Sequence, residues 1–148
     1  MHRHAMGFTL VELIVVLVLL GIVSVYIAPR FSGSGVYDAL VARQDVKQSL
    51  RYAQQLAMAR TTQSVTWSVN AANASISILS GGNLVDRADG VENPLVLPRI
   101  TFAANTLITF DYHGSLTDGV DKTIQVSDEG EGAGRVCVSG VTGYAYDC

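Results

Sequence analysis

The sequence predicts an α+β fold, and two features carry that reading. From Phe8 to Arg60 the apolar residues run unbroken or recur with a helical period. From Thr61 onward they alternate with polar residues, and glycine-bearing turns separate the alternating stretches. Helical and strand patterns are therefore segregated along the chain, which is the pattern of a helix laid against an antiparallel sheet. At 148 residues and 49% hydrophobic, the chain has room for one apolar span and one small domain.

The first element is the run from Phe8 to Ala28, in which Glu12 is the single charged residue. As a helix it would reach roughly 30 Å, the thickness of a bilayer core. An acid at such a depth costs at least ~2.5 kcal/mol, so Glu12 either reaches the interface from near the helix end or has a partner. Upstream lie Arg3, His2 and His4, and positive charge holds that end in the cytoplasm with the remainder across the membrane. A secretory signal would be cut after its apolar region. Here the small-residue junction near the basic leader is Gly7-Phe8, before the run. Cutting there keeps the span and frees a cationic amine on Phe8 about one helical turn from Glu12. On neighbouring copies those two charges could pair in an apolar interior where either alone would be costly.

Beyond Pro29, the stretch Phe31-Ser32-Gly33-Ser34-Gly35 predicts a kink or short break, since each glycine weakens a helix by ~1 kcal/mol. Helical periodicity then resumes. Val36, Leu40, Val46, Leu50, Ala53 and Ala57 form a stripe for packing on a sheet, with Asp45, Lys47 and Arg51 expected in solvent. The strands follow. Val65, Trp67 and Val69 alternate, as do Ile76 and Ile78; Ile108, Phe110 and Tyr112; Ile124 and Val126; and Val136 and Val138. Gly81-Gly82-Asn83, Asp89-Gly90, Asp118-Gly119 and the segment Asp128 to Gly134 supply turns. The expectation is one antiparallel sheet with its apolar face on the helix.

Gly7-Phe8-Thr9-Leu10-Val11-Glu12, with Gly21 and Pro29 after it, resembles the cleavage and methylation signature of type IV prepilins. The resemblance implies a pilin-like fold, cleavage after Gly7 by a prepilin peptidase, N-methylation of Phe8, and an assembly contact from Glu12 to the Phe8 amine of an adjacent subunit. It divides the chain into a leader (1-7), a transmembrane and assembly helix (8-29), an amphipathic helix (30-60) and a periplasmic β-rich head (61-148). "LRYAQQLAMARTTQSVTWSV", "ITFDYHGSLTDG" and "GRVCVSGVTGYAY" look like the helix end, aromatic strand and terminal hairpin of the FimT/GspH pseudopilin family. Pro29-Arg30-Phe31 and the cysteine-bearing end look most like minor pilins of the mannose-sensitive haemagglutinin (MSHA) pilus. The implied role is a minor pilin that assembles or initiates such a pilus. The alternative is a GspH-like minor pseudopilin of a type II secretion system. The implied partners are other pilins or pseudopilins in a helical filament, the prepilin peptidase, the inner-membrane assembly platform and the lipid bilayer. The implied location is a single-pass inner-membrane protein with a cytoplasmic N-terminus and a periplasmic head, then the filament.

Cys137 and Cys148 are the two cysteines, and an extracytoplasmic head favours a disulfide between them. If Thr142-Gly143 is a two-residue hairpin loop, Val141 faces Tyr144 and Cys137 falls opposite Cys148. Opposed residues lie ~4.5–5.5 Å apart at Cα, within reach of a bridge.

Charge and motif exclude other functions. The segment 61–148 holds four basic and ten acidic residues, which does not suit a nucleic-acid surface and makes a DNA-binding FimT-like role the weakest of the pilin readings. Asp111, His113 and Ser115 would line a strand in file, without the convergent geometry of a catalytic triad, and no enzymatic activity is expected. Asp118, Asp121, Asp128, Glu129 and Glu131 offer oxygens for calcium, but their spacing fits no EF-hand loop and a solvated acidic loop is the expectation. Gly130, Gly132 and Gly134 lack the lysine and following helix of a phosphate-binding loop. No cofactor or metal is expected.

Overall fold

The structure is a computed structural model that describes residues 9–27, 34–128 and 134–148. The chain divides into two compact units, 1–34 and 35–148. The first contains helix α1, Leu10–Ile27. Thr9 caps it: its Oγ1 accepts the Glu12 N–H at 3.3 Å while its carbonyl accepts the Leu13 N–H at 3.2 Å. Thr9 and Glu12 thus hold the spacing of a capping box, and the acid lies in the first turn, where the helix dipole favours negative charge.

The second unit is helix α2, Ser34–Ala59, packed on antiparallel strands. Among the described side chains, Ala39, Ala42, Val46, Leu50, Ala53 and Ala57 form its buried stripe. Leu40, expected in that stripe, is 49% exposed instead. Ala39 and Ala42, on either side of it in the sequence, are the buried positions of that turn. Lys47 corrects the expectation of a fully solvated flank: it is mostly covered and pairs with Asp147 at 2.7 Å.

Where one sheet is expected from the sequence, two are found. The first contains β1 (Val65–Asn70), β2 (Ser75–Ser80), β3 (Asn83–Leu84), β4 (Leu95–Val96) and β6 (Thr106–Phe110). Its order is β3-β2-β1-β6, with β4 also on β2. The second runs β5 (Ile100–Phe102), β7 (Lys122–Asp128), β8 (Gly134–Val138), β9 (Ala145–Asp147). Inward residues alternate as expected: Val65, Trp67, Val69, Ile124, Val126, Val136 and Val138 are all buried in a single core. The chain already crosses to the second sheet for β5 and back for β6, and Asp111 ends β6. Its Oδ1 accepts the N–H groups of His113 and Ser115, both at 2.9 Å, and Gly114 takes φ +82°. The chain folds back there, so Tyr112 leaves the strand and is exposed instead of continuing the alternation. Leu116 then bridges the sheets, opposite Phe110 in one and bonded to the Gly140 carbonyl beside the other.

Trp67 sits at the centre with no exposed surface. Its indole N–H donates to the Ser49 hydroxyl at 2.8 Å, and Ser49 donates to the Val46 carbonyl at 2.8 Å. Both polar atoms therefore keep a partner inside the core, where an unpaired one would cost ~1–3 kcal/mol.

Candidate functional site

Gly7 and Phe8, the expected cleavage and methylation positions, lie outside the described residues, as do Pro29, Phe31, Glu129 and Glu131. Glu12 is described and exposed at the start of α1. Every described apolar side chain of α1 from Leu10 to Ile22 is likewise exposed, between 47% for Val16 and 76% for Leu10. A helix apolar on all sides needs an environment to cover it, either lipid or other helices. Among the described residues no helix is long and apolar enough to cross a membrane. The span expected over 8-29 extends past α1 at both ends, into residues outside the description.

At the head, Cys137 and Cys148 form a disulfide with Cα atoms 5.8 Å apart. The expected register is wrong by two residues. Cys137 pairs with Tyr146 and Val138 with Ala145, so Cys148 lies diagonally across from Cys137. Thr-Gly is a poor two-residue hairpin turn. The loop is instead four residues, Gly140 to Gly143, closed by the Gly143 N–H on the Ser139 carbonyl at 2.7 Å, with Gly143 at φ +67°. A slip of two preserves which face each residue occupies, which is why the bridge still forms.

That loop and the Asp111 turn are fastened together. Gln54 on α2 donates from Nε2 to the Gly114 carbonyl at 2.9 Å and to the Thr142 carbonyl at 2.8 Å. Ser115 donates to the Val141 carbonyl at 2.7 Å. Asp111 and Ser115 are thus committed to turn geometry, and the His113 ring lies against Tyr112 at 3.9 Å. No convergent triad forms from these three residues.

The described acidic positions, Asp118, Asp121 and Asp128, each have their own setting. Asp118 binds Lys122 at 2.6 Å and caps the Val120 N–H; the lysine bond holds its carboxyl below the ordinary carboxylate range. Asp121 accepts the Gly140 N–H at 2.7 Å. Asp128 is buried at the end of β7, opposite Ile100. Among the described residues no group of three or more His, Cys, Asp or Glu could hold a metal ion.

Three residues with clear structural work give no periodic signal in the sequence. Arg87 is buried, chelates Asp89 through Nε and Nη2, and lies over the Tyr52 ring at 4.8 Å. Asn93 and Gln54 bond backbone atoms far away in sequence. Side chains that replace a missing strand or pin a turn have no spacing rule by which to be found.

The architecture is an α+β, pilin-like fold. Residues 5–28 match the prokaryotic N-terminal methylation motif. No curated protein sequence matches the chain. Among solved structures, the chain is similar to the type IV minor pilin FimU of Pseudomonas aeruginosa in two crystal forms. The first has TM-score 0.60 and 16% identity, covering 76% of this chain and 89% of FimU. The second has TM-score 0.54 and 18% identity, covering 74% and 91%. The shared feature is the α+β architecture of a helix on an antiparallel head.

Proposed function

We propose that the chain is a minor pilin of a type IV pilus, structural and not catalytic. It is made as a precursor, cut between Gly7 and Phe8, and N-methylated on Phe8 by a prepilin peptidase. The observation that carries this reading is the pairing of a methylation motif over residues 5–28 with a pilin-like head directly after it. The segment 8-29 anchors the precursor in the inner membrane, with the head (61-148) in the periplasm. Residues 30-60 carry the head, and the apolar surface of α1 passes from lipid to other pilins on assembly. Glu12, with its carboxylate already at the helix start, contacts the Phe8 amine of a neighbouring subunit.

The MSHA type is the reading favoured within the class, most like its minor pilin MshC. Its support is the resemblance of Pro29-Arg30-Phe31 and of the terminal hairpin, whose disulfide joins Cys137 to Cys148. The test is tagged protein in its own cells. Intact mass must show a chain beginning at N-methylated Phe8, and the tag must appear in sheared pili. A mature chain with another first residue defeats the pilin reading. Correct processing with the tag absent from pili, and secretion lost on deletion, moves the protein to a type II secretion pseudopilus.

A further inference from the structure

A pocket of about 300 Å³ opens between the first turns of α2 and the turn that enters β5. That is the low end of the range for small-molecule sites. Its buried lining is Ala42, Leu97 and Ile100, and its exposed lining is Val41 and Pro98. The turn runs from Leu97 to Ile100, closed by the Ile100 N–H on the Leu97 carbonyl at 3.4 Å. Within it Arg99 takes φ +67°, a conformation that costs a residue with a side chain about 1 kcal/mol or more. From there Arg99 reaches the Asp38 carboxylate at 3.3 Å, beside the pocket. Asp45 lines the same pocket and is half-buried. Among the described residues its carboxylate makes no hydrogen bond or ion pair. Arg87, the cation that acts on it, is chelated by Asp89 and borders a separate small cavity that Asp45 also lines. Burial raises the Asp45 carboxyl above its ordinary value, so its charge opposes folding.

We propose that this pocket binds a small organic ammonium ion, with its apolar body against Ala42, Leu97 and Ile100 and its N–H groups on the Asp45 carboxylate. Charge complementarity selects the class. A carboxylate in an apolar setting gains most from a cation that brings hydrogen-bond donors, because charge-assisted bonds strengthen where water is excluded. An anion meets two carboxylates, with Arg99 already engaged by Asp38. A neutral apolar molecule leaves the Asp45 charge unmatched. A calcium ion takes six or more oxygen ligands, and most of this lining is hydrocarbon. Opening the Arg99–Asp38 pair would give the ligand a second carboxylate. The pocket lies wholly within the unit 35–148, so the proposed binding is independent of the pilin reading.

The test uses the full chain in nonionic detergent micelles, with backbone amide signals followed by nuclear magnetic resonance. Three probes of similar size are titrated, each also against empty micelles: phenethylammonium, neutral 2-phenylethanol and anionic phenylacetate. Phenethylammonium is expected to move the amides of Val41, Ala42, Asp45, Leu97 and Ile100 to saturation. The other two are expected to bind about tenfold more weakly or less. Asp45→Asn removes the charge where burial opposes it, and is expected to lose about tenfold in ammonium affinity. Val41→Phe, at an exposed position of the lining, is expected to fill the pocket and lose binding with Asp45 intact. Arg99→Gly suits the positive φ and frees Asp38, and is expected to bind ammonium more tightly. Amide signals unchanged away from the pocket show that each variant is folded. Equal binding of 2-phenylethanol and phenethylammonium would overturn the proposal, as would an Asp45→Asn or Val41→Phe that binds ammonium like wild type. Shifts that never saturate, or that fall outside the pocket, overturn it too, and so does weaker ammonium binding by Arg99→Gly.

Discussion

Asn93 pairs with Ile78 as if it were a strand residue. Its Nδ2 donates to the Ile78 carbonyl at 2.7 Å and its Oδ1 accepts the Ile78 N–H at 3.0 Å. A second Nδ2 bond goes to the Val85 carbonyl at 2.8 Å. β3 covers Leu79 and Ser80 on β2, and β4 covers Ser75 and Ile76. The side-chain amide fills the gap between them. The Ile78 carbonyl also accepts the Val85 N–H at 3.0 Å, and beside that backbone bond the Asn93 amide copies the donor and acceptor geometry of a peptide group.

Asn93→Ala is expected to lower head stability by about 1–3 kcal/mol, because three bonds go and the Ile78 N–H and Val85 carbonyl lose their bonds to Asn93, while the Ile78 carbonyl keeps the Val85 N–H. Asn93→Asp is expected to be no better, since a carboxylate faces two carbonyls. Asn105→Ala, which removes one exposed bond to the Ala71 N–H, is expected to cost less than about 1 kcal/mol. Urea unfolding followed through Trp67, the single tryptophan, measures all three. Equal costs for Asn93→Ala and Asn105→Ala would refute the gap-filling role.

Two carboxylates give opposite pH responses. Asp147 is bonded to the Lys47 ammonium, with Arg43 and Arg51 nearby, and its carboxyl is held below the ordinary carboxylate value. A lowered folded value stabilises above the unfolded one, near pH ~3.9, and that stability is lost as pH falls through the folded value. Asp45 is the reverse: burial raises its carboxyl, and Arg87 only partly offsets this. Its ionised form therefore destabilises the fold above the raised value, and the penalty disappears as pH falls through it. Asp147→Asn is expected to lower stability at pH 7 by about 0.2–1 kcal/mol, small because the pair is half in solvent. Asp45→Asn is expected to raise it. The Asp45 difference should close as pH falls below the ordinary carboxylate value, and the Asp147 difference should shrink as pH falls toward its lowered folded value. Urea midpoints from pH 3 to 7 check the signs, and two changes of the same sign would contradict the assignment.

How far the sequence foretold these features depends on whether they repeat. The helix stripe Val46, Leu50, Ala53 and Ala57 and the alternations at Val65, Ile124 and Val136 follow from burying one face of a regular element, and all are buried. The Cys137–Cys148 bridge was legible because its compartment and face parity sufficed, although the register was wrong by two. Two sheets in place of one were not legible. The chain leaves the first sheet for β5, returns for β6, and leaves again where Asp111 caps two N–H groups; neither the first crossing nor an Asp in an alternating run is marked by any spacing. Asn93, Gln54 and Arg87 were invisible for the same reason.

The terminal hairpin gives a prediction in two parts. Peptide maps without reductant should link the Cys137 and Cys148 peptides. Cys148→Ser is expected to cost roughly 3 kcal/mol in the chain-entropy model for this short loop. Gly143→Ala is expected to destabilise independently of the bridge. Its φ of +67° is unfavourable for a side chain, and the added Cβ would collide with the Gly114 carbonyl. If Gly143→Ala is as stable as wild type under reducing conditions, the loop does not close as described.

At Glu12 a helix-start role and the proposed assembly role can be told apart by substitution. Its N–H is capped by Thr9, and its spacing from Thr9 is that of a capping box, worth ~0.5–2 kcal/mol of helix stability. Its charge is the proposed partner of a Phe8 amine on a neighbouring subunit, and breaking such a buried pair costs ~3–5 kcal/mol. Glu12→Gln retains a side chain fit for the box and loses the charge. Thr9→Ala retains the charge and loses the cap. Glu12→Ala loses both the charge and the box side chain. If the charge assembles the filament, Glu12→Ala and Glu12→Gln should both be cleaved, stay in the membrane and fail to enter filaments, by a factor of several hundred for ~3.5 kcal/mol. Thr9→Ala should still enter. Membrane insertion should not suffer in either Glu12 variant, because removing an acid from an apolar segment eases insertion. The readout is tagged protein in sheared filaments against the membrane fraction. If Glu12→Gln assembles like wild type while Thr9→Ala does not, Glu12 acts as a helix-start residue and the intersubunit charge pair is wrong.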